Sequence, residues 1–344
     1  MPKSGERPPH PGQRLQMADI ARLAGVSEST VSRALANSTL IAESTRTRIQ
    51  RLAEEAGYVV NPVARSLRSR QTSVITVAIP LVHEQEQQLS DPFMMTMIAL
   101  LADALSERGY HMLLAKIASH RDGWVRRLLQ PGRSDGVILI GQSFEHAAIN
   151  EAARAGIPLV AWGSQLPAQR YPTVGTDNRL GGRIGAEHLL RHGRRRIAFL
   201  GDERLPEVGH RHEGYRSALL DAGLRPLPEL HVRSHFVAEH AYRSVRELIE
   251  RGTEFDGVVA ASDMIAISAI RALAQSGRRV PQDVSVVGFD DILLAEHSHP
   301  PLTTVRQELA EGAQALVETA IAAVRGEDVG STVLAPTLIV RASA

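Results

Sequence analysis

The 344-residue chain contains no cysteine, which excludes disulfides, thiolate nucleophiles and cysteine-ligated zinc and fits a reducing compartment. Long apolar runs are also missing. No stretch approaches the roughly 18 apolar residues that a membrane span requires, and residues 1–14, MPKSGERPPHPGQR, lack the apolar core of a signal peptide. The expected location is therefore the cytoplasm. Aromatic residues make up only 4% of the chain, so the few that fall at the ends of predicted strands and helices stand out. Catalytic signatures are absent too: there is no GxxxxGK phosphate loop, no GxSxG nucleophile turn and no HExxH pair. Among the 14 histidines, His210 with His212 and His297 with His299 are close in sequence but fit no metal-ligand spacing. These absences predict a protein that is not an enzyme and has no metal or cofactor.

The formal net charge of +1 conceals an asymmetry. Residues 1–73 hold 11 basic against 6 acidic side chains, leaving 28 against 32 in the remainder. A basic head on a slightly acidic body suits phosphate contact at one end of the chain only. Within that head, residues 17–35 read MADIARLAGVSESTVSRAL. Ile20, Leu23 and Ala24 recur at helical spacing, Gly25 stands where a helix ends, and Ser27 opens a second apolar set of Val31, Ala34 and Leu35. Two short helices and a tight turn make a helix-turn-helix, whose second helix presents its start to the DNA major groove. Here that start carries Ser27, Glu28, Ser29, Thr30, Ser32 and Arg33. Ser27, Thr30 and Ser32 serve either as caps and solvated positions or as phosphate contacts.

Four segments follow from the pattern. Residues 1–15 form a disordered tail, 16–58 a helix-turn-helix domain completed by a third helix over 44–56, and 59–73 a linker too short to hold a helix by itself in water. From residue 74 to 344, short β-branched runs alternate with amphipathic stretches. Strands are expected at 74–80, 112–115, 136–140, 159–162, 196–200, 255–260 and 284–288, and helices at 92–108, 180–191, 213–222, 242–251 and 266–275. This alternation predicts an α/β body of doubly wound parallel sheets in two lobes behind an all-α head. The first passage between lobes is expected near 174–177, where PTVGTDN interrupts the pattern.

Taken in order, DIARLAGVSESTVSRAL, VARSL, DGVIL, TDN, HLLRHGRRRIAFLG, RHEGYRSAL, SDMIAISAI, VPQDVSVVGFDD and PPLTTVRQ resemble the lactose-repressor/galactose-repressor family of bacterial transcription regulators over essentially all of residues 17–344. The resemblance implies a homodimer that binds pseudo-palindromic, double-stranded operator DNA. It also implies a periplasmic-binding-protein-like body with a small-molecule effector, a sugar, between its lobes. Its three lobe crossings would fall near 174, 303 and 330, so that lobe 1 takes 74–176 and 304–330 and lobe 2 takes 177–303 and 331–344. No leucine heptad follows the final strand, so a dimer without a coiled-coil tetramer tail is expected. The function implied is a repressor of carbohydrate-utilisation genes released by its effector. A corepressor-dependent repressor or an activator is the alternative within this class, and a sugar-binding protein or an enzyme the alternative outside it.

The same resemblance assigns roles to individual residues. Glu28 and Ser29 occupy the positions that vary with operator sequence, and Arg33 that of a base-contacting arginine, able to grip guanine bidentately. Thr45 would hold a phosphate at the start of the third helix, which Glu43 or Ser44 must cap because Ala42 replaces the usual serine. In the linker, Asn61 and Leu67 match minor-groove residues and Ala64 the small face between two hinge helices, while Val60 replaces a usual proline. Wedging Leu67 between base pairs would kink the duplex. In the body, a polyol needs an apolar platform and a few fixed polar groups. Phe93, Trp162 and Phe236 supply the first; Arg211 and Asp290 match paired effector anchors, and Ser262 stands where relatives often carry asparagine. Trp162 and Phe236 could alternatively be core, and Asp290 a helix cap. Gly163 replaces an aspartate found in many relatives, which removes one acceptor from the first lobe.

Overall fold

The computed structural model describes residues 15–58, 71–80, 89–117, 124–129 and 133–344, which fall in two compact units, Met1–Thr72 and Ser73–Ala344. The expected tail and the linker positions Val60, Asn61, Ala64 and Leu67 lie outside the described residues.

In the first unit, α1 (Met17–Ala24), α2 (Glu28–Leu35) and α3 (Glu43–Glu55) meet at Ile20, Val31, Ala34 and Ile49, all fully buried. Gly25 ends α1 at φ +66°, a left-handed conformation that suits a residue without Cβ. The Val26 N–H then reaches back to the Ala21 carbonyl at 3.0 Å, closing the turn that swings α2 across α1. Two details depart from expectation. Leu23 is 60% exposed, and α1 buries Ile20, Ala21 and Ala24 instead, because two short partner helices cover only a narrow stripe of a third. Neither Glu43 nor Ser44 caps α3: Ala42 holds the cap position and supplies no side-chain hydrogen bond. Glu43 is left in the first turn, where a negative charge complements the helix dipole.

The second unit contains two six-stranded sheets. The first is built from β1 (Val74–Pro80), β2 (His111–Ile117), β3 (Gly136–Ile140), β4 (Leu159–Trp162), β5 (Thr173–Thr176) and β11 (Thr332–Leu334). Its order is β11-β5-β4-β3-β1-β2, and every pairing is parallel. The second is built from β6 (Ile197–Leu200), β7 (His231–Val232), β8 (Gly257–Ala260), β9 (Ser285–Asp290), β10 (Thr303–Arg306) and β12 (Thr337–Ile339). Its order is β12-β10-β9-β8-β6-β7, and only β12 runs antiparallel, against β10. The runs GVILI and LVAW are buried at every position, as strands with helices on both faces must be.

The chain passes from the first sheet to the second after Thr176, returns after Arg306 and crosses again after Leu334. The second and third crossings thus come later than 303 and 330. Residues 303–306 pair with β9 in the second lobe, and 332–334 pair with β5 in the first. The segment taken as an interruption near 174–177 contains β5 itself. These strands are short and rich in threonine, so no local apolar run marks them.

Helices flank both sheets, and those that concern the cavity between the lobes are α4 (Pro92–Glu107), α7 (Asn178–Arg191), α8 (Pro206–Asp221), α9 (Ala238–Glu250), α10 (Asp263–Gln275) and α12 (Leu309–Val324). α7 and α8 approach through glycine. A Cβ at Gly182 would lie 1.9 Å from the Arg211 carbonyl oxygen, and one at Gly214 would lie 1.8 Å from that of Arg179. Backbone meets backbone here, and no flexible side chain can give way. Gly182→Ala is therefore expected to pry α8 off α7 at a cost of about 1–3 kcal/mol, the usual penalty for overpacking. Thermal unfolding checks this: the melting temperature should fall by several degrees, and an unchanged value would mean that the helices separate freely.

Candidate functional site

Two surfaces bring together the residues singled out from sequence. On the head, Val31 and Ala34 turn inward and fix the orientation of α2. Ser27, Glu28, Ser29 and Arg33 are consequently exposed, and Thr30 and Ser32 half-buried. Ser27 is the N-cap: its Oγ accepts from the Thr30 N–H at 3.2 Å and lies 2.8 Å from Ser29 Oγ and 2.9 Å from Thr30 Oγ1. The capping role weighed for Ser27 is thus present. It also gathers three hydroxyls at a helix N-terminus, where backbone N–H groups and the helix dipole favour an anion such as phosphate. Thr45 lies half-buried in the first turn of α3.

In the body, Phe93, Trp162, Arg211, Phe236, Ser262 and Asp290 all line one cavity between the lobes, of about 740 Å³ with its mouth included. The first lobe contributes Phe93, from the start of α4, and Trp162, from the end of β4; the second contributes the other four. Trp162 is 4% exposed. Its ring lies so close to α12 that a Cβ at Gly312 would come within 2.4 Å of it. Core and cavity wall are therefore one role for this side chain, and its plane is fixed before any ligand arrives.

Arg211 projects from α8 and is 6% exposed. Its Nε donates to Asn178 Oδ1 at 2.8 Å, Nη1 donates to the Ala261 carbonyl, and the guanidinium lies 3.7 Å from the centre of the Phe289 ring. Burial lowers its pKa, and the charges of Asp290 and Glu207 oppose that shift. Asp290 ends β9 at φ +117°, a strained conformation for a residue with a Cβ. It does not cap α11 (Leu293–His297), whose cap position is Ile292. Its Oδ1 instead accepts from Gln307 Nε2 at 2.7 Å. Burial pushes the Asp290 carboxyl well above the usual carboxylate range, with Arg211 pulling it partly back. Ser262 caps α10, accepting from the Ile265 N–H at 3.3 Å.

Gly163 has a steric explanation. A Cβ there would come within 2.5 Å of Gln142 Oε1. Gln142 is fully buried, accepting from the Ser164 N–H at 2.9 Å and donating to the Tyr171 hydroxyl at 2.9 Å. An amide thus fills the space that a longer side chain at 163 would need.

Sequence reasoning missed Asp91, Ser143 and Glu207, which line the same cavity. Asp91 was legible as a helix cap before Pro92, and its Oδ1 accepts from the N–H groups of Phe93 and Met94 at 3.0 and 3.2 Å. Glu207 lies one turn before Arg211 on α8, a spacing that puts both on one face. The predicted helix began only at residue 213, which hid that relation. Ser143 carried no signal: it adopts φ +49° in the loop after β3.

Residues 16–61 match the model of bacterial regulatory proteins of the lacI family, and residues 186–344 match that of the periplasmic binding protein-like domain. The HTH-type transcriptional regulator CelR of Thermobifida fusca is 37% identical over 84% of this chain and 85% of its own length. Among solved structures, a transcriptional regulator CelR–cellobiose complex is 32% identical with a TM-score of 0.72, covering 96% of this chain and all of that one. The lac repressor dimer bound to operator and the anti-inducer ONPF is 26% identical with a TM-score of 0.83, covering 96% of this chain and 99% of that one.

Proposed function

The chain belongs to the lacI family of bacterial regulatory proteins, and from that premise we propose that it is a sequence-specific repressor whose grip on its operator is released when a sugar binds between the lobes. It is a DNA-binding transcriptional regulator and not an enzyme. The observation that carries the sugar reading is the convergence of six side chains on one interlobe cavity: three aromatic faces with a buried guanidinium, a hydroxyl and a carboxyl. Apolar faces with a few fixed polar groups suit a polyol. The related regulator in complex with cellobiose supports the same ligand class here. The related repressor found as a dimer on operator DNA supports a homodimer reading paired half-sites, working in the cytoplasm where DNA is reached.

In the head, Ser29, Glu28 and Arg33 read base edges, while Ser27, Thr30, Ser32 and Thr45 hold phosphates. Asn61, Ala64 and Leu67 serve as the hinge in the minor groove. Release requires that the sugar bind two body arrangements with different affinity, and reciprocity then demands that operator DNA weaken sugar binding by the same factor. Titrating a panel of neutral mono- and disaccharides against an operator complex tests this. At least one sugar should lower operator affinity by 5-fold or more, the lower range of such couplings, and the operator should lower affinity for that sugar equally. Specific operator binding that no sugar alters would sink the induction model. A sugar that strengthens binding would establish the corepressor mode instead.

A further inference from the structure

Three carboxyl groups, Asp91, Glu207 and Asp290, line the cavity together with one guanidinium, Arg211. Their partners are unequal. Arg211 directs its hydrogen bonds to Asn178 and to the Ala261 carbonyl, and to none of the three acids. Asp91 is engaged by two backbone N–H groups and Asp290 by Gln307. Glu207 accepts from its own backbone N–H and from the Gln142 N–H, the latter at 3.4 Å, beyond the usual range of an N–H···O bond. Burial raises all three carboxyls above their ordinary range, with the Arg211 charge pulling Glu207 and Asp290 partly back.

A second observation does not depend on the acids. Ser143, the residue after Gln142, has a hydroxyl that is buried without a hydrogen-bond partner among the described residues, in a side chain 5% exposed on the wall of the same cavity. A buried polar atom left unpaired costs free energy. The residue lines the cavity, and rotation about χ1 can turn its hydroxyl toward a ligand. The Gln142 N–H joins this loop of the first lobe to Glu207 of the second, so the unpaired hydroxyl and the under-partnered carboxyl are neighbours across the cleft.

We propose that the effector is a carbohydrate carrying a protonated amine, with its ammonium seated against Glu207 and an adjacent polar group of the ligand on Ser143 Oγ. This rests on the sugar reading above and narrows it. An ammonium brings three donors and a full positive charge to a carboxyl that Arg211 offsets without a hydrogen bond to it. A hydroxyl of a neutral sugar can donate to Glu207 but cannot offset its charge. A uronic acid or a sugar phosphate adds another negative charge to a wall that already holds three carboxyls.

Calorimetric titration of the full-length protein tests the proposal. The ligands are a panel of neutral mono- and disaccharides, glucose and cellobiose among them, each measured beside its amino analogue and its uronic analogue. For the parent that binds, the amino form should bind at least tenfold tighter and the uronic form weakest. In Glu207→Gln the amino and neutral affinities should converge. An amino form that binds no better than its neutral parent in the wild type overturns the proposal and leaves the sugar reading standing. So does an amine preference that survives intact in Glu207→Gln. The wild-type comparison decides even if that variant fails to fold. Failure of every neutral and amino form to bind overturns the carbohydrate reading and this inference together.

Discussion

Replacing Arg211 with alanine should leave a protein that still binds its operator and no longer releases it. The guanidinium is the one cation on the cavity wall among the described residues, and it is committed to three neutral neighbours at once: Asn178, the Ala261 carbonyl and the face of Phe289. Truncation strips those partners and leaves Glu207 and Asp290 facing a cavity with no positive charge. A hydrogen bond from a charged group to the ligand is worth about 1.5–3 kcal/mol. Effector affinity should therefore fall by about 10- to 100-fold, each tenfold step being about 1.4 kcal/mol. Arg211→Lys should not restore it, because a point ammonium cannot reproduce the fork that reaches two acceptors while lying on a ring. The measurement is operator binding with and without a saturating inducing sugar, alongside circular dichroism to confirm the fold. Normal release by the alanine variant would remove Arg211 from the effector site.

The second large effect is expected in the head. Arg33 is exposed on α2, while Val31 and Ala34 anchor the opposite face, so Arg33→Ala should spare folding and act on DNA alone. A bidentate arginine–guanine contact is worth about 1–3 kcal/mol of discrimination. Operator affinity should fall by roughly 10- to 100-fold, with the loss concentrated in sequences that carry the recognised base. A phosphate contact would behave differently, weakening all sequences alike and flattening the salt dependence. Binding to the operator and to scrambled DNA over a range of salt separates the two outcomes. A uniform loss across sequences would reassign Arg33 to the backbone.

Much of the architecture was legible because it is written in local patterns. The runs at 74–80, 136–140 and 159–162 were predicted as strands with the bounds they have. A continuously apolar run bounded by turns has few alternatives when helices must cover both faces. The head was legible from Ile20, Gly25, Ser27, Val31 and Ala34, each fulfilling a local rule of spacing, capping or turn geometry. The strands at 173–176, 303–306 and 332–334 were not legible. They are only three or four residues long and polar in part, so nothing in their own residues declares them.

The cavity divides in the same way. Arg211, Ser262 and Asp290 could be picked out in recognisable motifs, and Phe93, Trp162 and Phe236 as scarce aromatics at the ends of predicted elements. Their convergence on one space could not be deduced from any of those motifs alone, since it depends on two lobes whose chain crosses after Thr176, Arg306 and Leu334. Gly163 shows the same limit: the sequence marks a missing aspartate, and only the fold shows Gln142 in the place that its side chain would take.

From the sequence alone came the class of the protein: a helix-turn-helix head, an α/β body in two lobes, and side chains suited to an operator and a sugar. The head and the α/β body rest on periodicity, capping and turn chemistry, which act over a few residues, and the operator and the sugar on the resemblance to the lactose-repressor/galactose-repressor family. What the tertiary structure decided is which charges face one another in the cleft. Ser143, Glu207 and Asp290 come from separate segments that the fold brings onto one cavity wall. Electrostatic balance belongs to distances in space, and those are set only when the lobes are packed.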